Sequence, residues 1–341
     1  MEAGLFFRMD QLRGRPDVEV FDEVVRQTVL AEELGYGCVW LTEHQFHADD
    51  GHCPSPLMML VKLAGQTTRI RLGTAVVVVP LNHPLRVAGE AALCDVLTGG
   101  RLELGLGSGY AEYEFAAYCV PHGERRERLS EGIDIIIGAW RSQRFSYEGT
   151  YFRVPEVEVY PRPLQRPHPP LWMSAFTRET AIAAGRRGMH LMQTAGGAAS
   201  ALEDLRKNFA AHADAWLAGG QPGRPEHGLA RYVYVAESQA EALRDAAEPM
   251  VAFMRHNATT FPRSYTALTP EDITLERLLR QRTITIGDPD SCRSPRRSCR
   301  RCAPPRHRWP RRPAALRATA SPWRCAPTRV KGLSAVLLAG Q

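Results

Sequence analysis

The chain has 341 residues, 44% of them apolar, enough to bury one large core at a size where α/β barrels stand as one domain. No apolar run is long enough to span a bilayer, and the N-terminus lacks the basic-then-apolar order of a secretory leader, so a cytoplasmic location without membrane attachment is expected. The formal charge of +6 is misleading: residues 291–341 hold twelve Arg, one Lys and no carboxylate, and without them 30 basic residues face 37 acidic ones, which argues against nucleic acid as a partner.

In chain order, strand and helix signals alternate. Gly4–Phe7 is a short apolar run, followed by a helix with Phe21, Val24, Val25 and Thr28 on one face and Gly35 at its end. Cys38–Leu41 reads as a buried strand, and Ile70–Val79, rich in β-branched residues, as the next. A helix up to Leu97 stops at Thr98-Gly99-Gly100, and Leu102–Leu106 is the fourth strand. Leu129, Ile133, Ile136, Ile137 and Trp140 recur at helical spacing. Phe145–Val159 reads as an inserted hairpin turning at Glu148-Gly149. Strands at Leu171–Ser174, Met189–Gln193 and Arg231–Val235 follow, with helices to about Arg187, from Ala201 to Leu217 and from Gln239 to Arg255. Seven such units imply a parallel sheet with right-handed crossovers, and at this length an α/β (β/α)8 TIM barrel rather than an open sheet.

The eighth unit should begin near Gly287-Asp288-Pro289. There the composition breaks: seven Pro and twelve Arg fall between Cys292 and Arg329, where neither strand nor amphipathic helix can be read. The last β/α unit is therefore expected to be missing or replaced. An Arg-rich binding tail would have only Trp309 and Trp323 as aromatics, and a metal knuckle through Cys292, Cys299, Cys302 and His307 has irregular spacing. A translated frameshift in a GC-rich gene, or disorder, fits this composition better. The expected organisation is a barrel over 1–290, with the hairpin near 145–160 and a lid segment near 259–283, and an aberrant tail over 291–341. Cys38, Cys53, Cys94 and Cys119 lack paired spacing and read as reduced thiols.

The polar residues just beyond each strand should line one mouth of the barrel, where ligands bind. They are Glu43 and His44; Asn82 and His83; Gly105-Leu106-Gly107-Ser108-Gly109-Tyr110; Thr177, Arg178 and Thr180; Gln193 and Thr194. The glycine run lets a flat ligand approach backbone, and hydroxyls opening a helix cap its amides and favour a phosphate. Tyr110, Tyr113, Phe115 and Trp172 suggest an aromatic-lined pocket, although aromatics at such positions are as often core.

Several of these segments carry a resemblance. Trp40-Leu41-Thr42-Glu43-His44-Gln45-Phe46, Leu72-Gly73-Thr74-Ala75 with Pro80 and His83-Pro84, Gly100-Arg101-Leu102, Arg128-Leu129-Ser130-Glu131 and Asn257-Ala258-Thr259-Thr260 look like the bacterial luciferase-like flavin monooxygenases, from about Gly4 to Asp290. That resemblance implies a barrel holding reduced FMN, supplied by a separate flavin reductase. It also implies oxygenation of a small organic substrate (an aldehyde, ketone or secondary metabolite) through a peroxyflavin. His44 matches the family's catalytic histidine and Glu43 the neighbouring acid. Ala75-Val76 matches a non-prolyl cis peptide beneath the flavin, and Thr177 and Thr180 match phosphate positions, with Arg125, Arg126 or Arg128 as partners. Gly107 stands in place of a cysteine, Ser108 in place of a phosphate-binding arginine, and Gln45 in place of a second histidine, so light emission is not expected. No metal is expected at His47, His52 and Cys53. A homodimer is expected by analogy. The same barrel also serves deazaflavin-dependent dehydrogenases, and a non-catalytic flavin-binding paralogue is the third reading.

Overall fold

The computed structural model describes residues 2–9, 15–47, 50–194, 202–260, 269–293 and 334–339, the last as backbone only. A mostly parallel sheet is flanked by helices. The first strand, β1 (Glu2–Phe7), leads through α1 (Asp17–Glu33) to β2 (Cys38–Leu41), and α2 (Pro56–Ala64) leads to β3 (Arg71–Thr74). The short β4 (Val77–Val78) precedes α3 (Pro84–Leu97), β5 (Leu102–Gly107), α4 (Glu112–Ala117) and α5 (Arg125–Arg141). The hairpin is β6 (Phe145–Glu148) and β7 (Arg153–Val157). The alternation resumes with β8 (Leu171–Ser174), α6 (Arg178–Arg186), β9 (His190–Thr194), α7 (Leu202–Ala218), β10 (His227–Val235) and α8 (Gln239–Thr260). Then come α9 (Leu275–Arg280), β11 (Ile284–Gly287), α10 (Pro289–Arg293) and β12 (Ser334–Ala339).

Three differences from the sequence reading have physical causes. The single strand expected over 70–79 is two, divided at Ala75-Val76, whose peptide is cis. Helix α2 carries no long apolar period to announce it, yet Ser55 accepts from the Met58 amide and Pro56 fills the first turn, a start signal its neighbours support. The third concerns the closing unit. Strand β11 pairs parallel with β10, Tyr232 opposite Ile284, so a four-residue eighth strand ends at Gly287 rather than beginning there. The position against β1 is taken instead by β12, antiparallel to both neighbours, with Val336 opposite Gly4 on one side and Ala230 on the other. Strand β12 covers the Val336–Leu338 run, the one apolar stretch at the far end of the tail.

Alternation along the strands sorts side chains between two cores. Leu102, Leu104 and Leu106 of β5 join Leu72, Val39 and Leu41 and the helices' Val24, Leu60, Val87, Ile133 and Ile136 outside the sheet. Trp40, Trp172, Cys38, Met192 and Ala230 form a separate cluster inside. The two indoles meet edge-to-face, centroids 5.1 Å apart. Gly73 permits this, because a β-carbon there would lie 2.2 Å from the Trp40 ring. The indole N–H of Trp172 donates to Glu103 at 2.7 Å, and Arg71 pairs with the same carboxylate. Burial raises the Glu103 carboxyl to about 7 against the pull of Arg71. In the segment expected to be a lid, residues 261–268 lie outside the described residues; Ile273 and Leu278 are buried with Met250, Met254 and Ile284. Among the described residues no helix is long and apolar enough to cross a membrane.

Candidate active site

The chain leaves β2 through Thr42, whose amide donates to the Phe7 carbonyl at 3.2 Å and whose hydroxyl donates to that of Arg8 at 3.3 Å. These bonds hold the next two side chains at the C-terminal end of the sheet. Glu43 is 4% exposed; it accepts from the Val78 amide at 3.0 Å and from Asn82 at 3.4 Å. Burial lifts its carboxyl to about 8, with Glu114 and Glu90 pushing the same way, so near neutrality it holds its proton. His44 is 7% exposed, and its amide donates to the Cys53 carbonyl at 3.1 Å.

Both ring nitrogens of His44 have protein partners. Glu114 Oε1 lies 3.3 Å from Nδ1, and the Tyr110 hydroxyl 3.1 Å from Nε2. Glu114 also accepts from the Gln45 amide at 3.0 Å, and Tyr118 donates to the Gln45 side chain at 2.8 Å, so the strand-to-loop corner is pinned from α4. Behind the ring lies Asp50, fully buried. It accepts from Arg8 at 2.7 Å, from Tyr110 at 3.0 and 3.2 Å on its two oxygens, and from Tyr113 at 2.9 Å. A carboxyl this deep is tolerable because a guanidinium and two phenols meet it. Burial, with the Asp50 and Glu114 carboxylates, pushes the Tyr113 phenol well above its usual range, so it remains a donor. Arg8 is steadied in turn by Asn257 Oδ1 at 3.3 Å.

Beside this cluster the inward positions of the sheet are small. On β5, Gly105 and Gly107 alternate with the outward leucines; Ala75, between β3 and β4, packs against the Trp40–Trp172 cluster, and Ser174 ends β8. A β-carbon at Gly105 would lie 2.0 Å from the Thr74 carbonyl oxygen, and one at Gly107 2.4 Å from a Val76 methyl. Ala75, Val76 and Ser108 remain partly exposed, so solvent reaches this floor. The two glycines therefore let the Thr74-Ala75-Val76 backbone pack tightly against β5, and the partly exposed Ala75, Val76 and Ser108 form a flat surface of small side chains, which fits one face of a planar ring such as a flavin.

Thr177 caps α6, accepting from the Thr180 amide at 3.3 Å, with the two hydroxyls 3.1 Å apart. Of the arginines named for this helix, the structure commits two elsewhere. Arg128 pairs with Glu124 at 2.8 Å and lies over the Tyr151 ring at 4.8 Å, while Arg125 donates to the His122 carbonyl at 3.0 Å. The Glu179 carboxyl, in the first turn of α6, is held low by its own backbone amide and the Thr177 hydroxyl, with Arg178 and Arg126 adding smaller pulls. His52 pairs with Asp17, Cys53 is buried with its thiol raised to about 12, and His47 lies against Tyr113. Among the described residues no three such side chains converge as metal ligands.

The aromatic-pocket expectation changes in the structure. Phe115 and Trp172 are fully buried packing residues, whereas Tyr110 and Tyr113 direct their hydroxyls to Asp50. The sequence reading passed over Arg8, Asp50 and Glu114. Arg8 directly follows an apolar strand and so belongs with the other strand-end residues; Asp50 and Glu114 carry no local signal.

The pattern of the luciferase-like monooxygenase family matches residues 1–295, ending close to the composition break. The flavin-dependent trigonelline monooxygenase oxygenase component of Acinetobacter baylyi is 30% identical over 265 residues, 76% of this chain and 72% of that one. An uncharacterized protein of Sinorhizobium fredii is 39% identical over 197 residues, 57% of this chain and 56% of its own length. The chain thus spans little more than half the length of several curated relatives. Among solved structures, monooxygenase RslO1 from Streptomyces bottropensis has a TM-score of 0.76 at 29% identity, with 86% and 87% of the two chains covered. The FMN complex of the oxygenating constituent of 3,6-diketocamphane monooxygenase from Pseudomonas putida shares the fold, TM-score 0.70 at 21% identity and 85% of each chain. With nearly its whole described length matched, the chain belongs to the luciferase-like monooxygenase family.

Proposed function

We propose that the chain is the oxygenase component of a two-component system, taking reduced FMN from a separate flavin reductase and oxygenating a small aldehyde, ketone or secondary metabolite in the cytoplasm. The observation that carries this reading is His44, hydrogen-bonded at both nitrogens, together with the partly exposed Ala75-Val76 and Ser108 surface that the buried Gly105 and Gly107 pack from behind. The trigonelline monooxygenase component, whose match covers 76% of this chain and 72% of that one, supports it.

Bound reduced FMN would supply the electrons that activate dioxygen. Ala75, Val76 and Ser108 would hold the ring, with Gly105 and Gly107 packed behind them. Thr177, Thr180 and the first amides of α6 hold the phosphate, where the helix dipole favours an anion. His44 exchanges a proton at Nε2, an imidazole being suited to give and take one near neutrality. Protonated Glu43 bonds to Val78 and Asn82 and keeps a net negative charge away from the ring. The Trp40–Trp172 pair excludes water from below. Exposed Met58 on α2 and Leu93, Val96 and Leu97 on α3 support a homodimer through these helices.

The test is turnover with FMN, a reductase and NADH under oxygen. His44→Ala is expected to lower kcat by roughly 10²–10⁴-fold while flavin affinity is retained. Unchanged turnover would discard the assignment. A second reading, a deazaflavin-dependent dehydrogenase, is favoured by an F420-dependent glucose-6-phosphate dehydrogenase of Microbacterium testaceum, 34% identical over 180 residues. Parallel titrations with FMN and the deazaflavin separate the two; flavin binding without turnover on any carbonyl substrate would indicate a non-catalytic paralogue.

A further inference from the structure

The partners of His44 differ in kind. Glu114 at Nδ1 also takes the Gln45 amide, and a carboxylate offers that nitrogen only lone pairs. The partner at Nε2 is a hydroxyl, which can donate or accept. The Tyr110 oxygen is 3.1 Å from Nε2 and 3.0 Å from Asp50 Oδ1, so its one hydrogen has two acceptors at almost equal distance. Asp50 does not depend on that hydrogen, since Arg8 and Tyr113 serve it at 2.7 and 2.9 Å.

We propose that Tyr110 and Asp50 are positioning residues forming a reversible hydrogen-bond partner for His44 Nε2. When Nε2 carries a proton, it donates to the Tyr110 oxygen, and the Tyr110 hydrogen points to Asp50. When Nε2 has given that proton to a reacting oxygen of the bound substrate or to water, the Tyr110 hydrogen turns to Nε2, and Asp50 keeps Arg8 and Tyr113. Neither state leaves Nε2, the Tyr110 hydroxyl or the Asp50 oxygens unpaired, so both protonation states of His44 are accommodated at Nε2. The charged and titratable groups around the imidazole fit this division. Glu114 of α4 holds Nδ1; Asp50 Oδ2, 3.7 Å from Nδ1, accepts from the two phenols while Arg8 bonds its Oδ1; the Glu43 carboxyl faces Val78 and Asn82. The proposal rests on His44 being the proton-transfer group.

The experiment compares Tyr110→Phe with Tyr113→Phe. Each removes one hydroxyl bond from Asp50, but only the first touches Nε2, so a purely structural role would respond to both alike. Histidine ¹⁵N resonances are followed through a pH titration of the flavin-free protein, with His44→Ala assigning the peak. Tyr110→Phe is expected to move the His44 Nε2 resonance and the midpoint of its titration, whereas Tyr113→Phe leaves both in place. In turnover, Tyr110→Phe should lower kcat by roughly tenfold to a hundredfold, shift the pH profile and leave flavin affinity unchanged. An Nε2 resonance indifferent to Tyr110→Phe, or moved equally by both variants, overturns the proposal. If His44→Ala is inactive and Tyr110→Phe has wild-type kcat, the proposal alone fails. If His44→Ala is fully active, the proton-transfer reading fails, and the proposed role falls with it.

Discussion

Glu43 offers a stability test with a definite pH window. In the unfolded chain its carboxyl titrates at about 4.5, and burial raises it to about 8 in the fold. Between those values the unfolded chain has released a proton that the folded chain retains. Stability from this group is therefore complete below about pH 4.5 and is lost at about 1.4 kcal/mol per pH unit as pH rises toward 8. At pH 7 the accumulated loss is about 3 kcal/mol. Glu43→Gln keeps an acceptor for the Val78 amide and removes the titration, at the cost of an amide N–H facing Asn82, about 1–3 kcal/mol. Urea denaturation at intervals from pH 4.5 to 8.5 should thus give a variant-minus-wild-type difference that climbs with pH by several kcal/mol. Glu103, raised to about 7, contributes equally to both proteins and cancels. A difference flat across this range would refute the argument, because a Glu43 ionised in the fold has no such window.

Other outcomes follow from the same geometry. Gly107→Ala sets a methyl 2.4 Å from Val76, behind the proposed flavin surface; it should cost about 1–3 kcal/mol in stability and weaken FMN at least tenfold by fluorescence titration. Trp172→Phe leaves the buried Glu103 without its 2.7 Å donor, and a loss of about 1–3 kcal/mol is expected by denaturant titration. Burial holds His190 and His227 down at about 4, so the unfolded chain binds protons first as pH falls below 6.5. Each histidine then contributes a decline of up to about 1.4 kcal/mol per pH unit between 6.5 and 4, and His190→Gln should reduce the slope measured by thermal melts. We also propose that the 291–341 segment is a frameshifted reading; the coding DNA should then contain, in another frame after Asp290, a continuing β/α pattern, and its absence would reject the idea.

The strand and helix succession was legible because each element buries a face, and burial imposes a period of 2 or 3.6 on the residues themselves. That period located β2, β5, β8 and α5 closely, and it set Glu43 and His44 at a strand end without further help. Strand β11, as long as β2, and the nine-residue α2 were not read from it, and composition gave no hint that β12 would lie antiparallel beside β1. The surroundings of His44 were beyond any local reading. Arg8, Asp50 and the Tyr110–Glu114 stretch come from three separate segments, with Tyr110 60 residues from Asp50 and Glu114 70 from His44. Sequence by itself determined which residues stand at the mouth, since strand ends are a local property. Only the tertiary structure decided which of them touch, because the curvature of the sheet brings the ends of β1, β2 and β5 together, and hydrogen bonds act over about 3 Å whatever the separation along the chain.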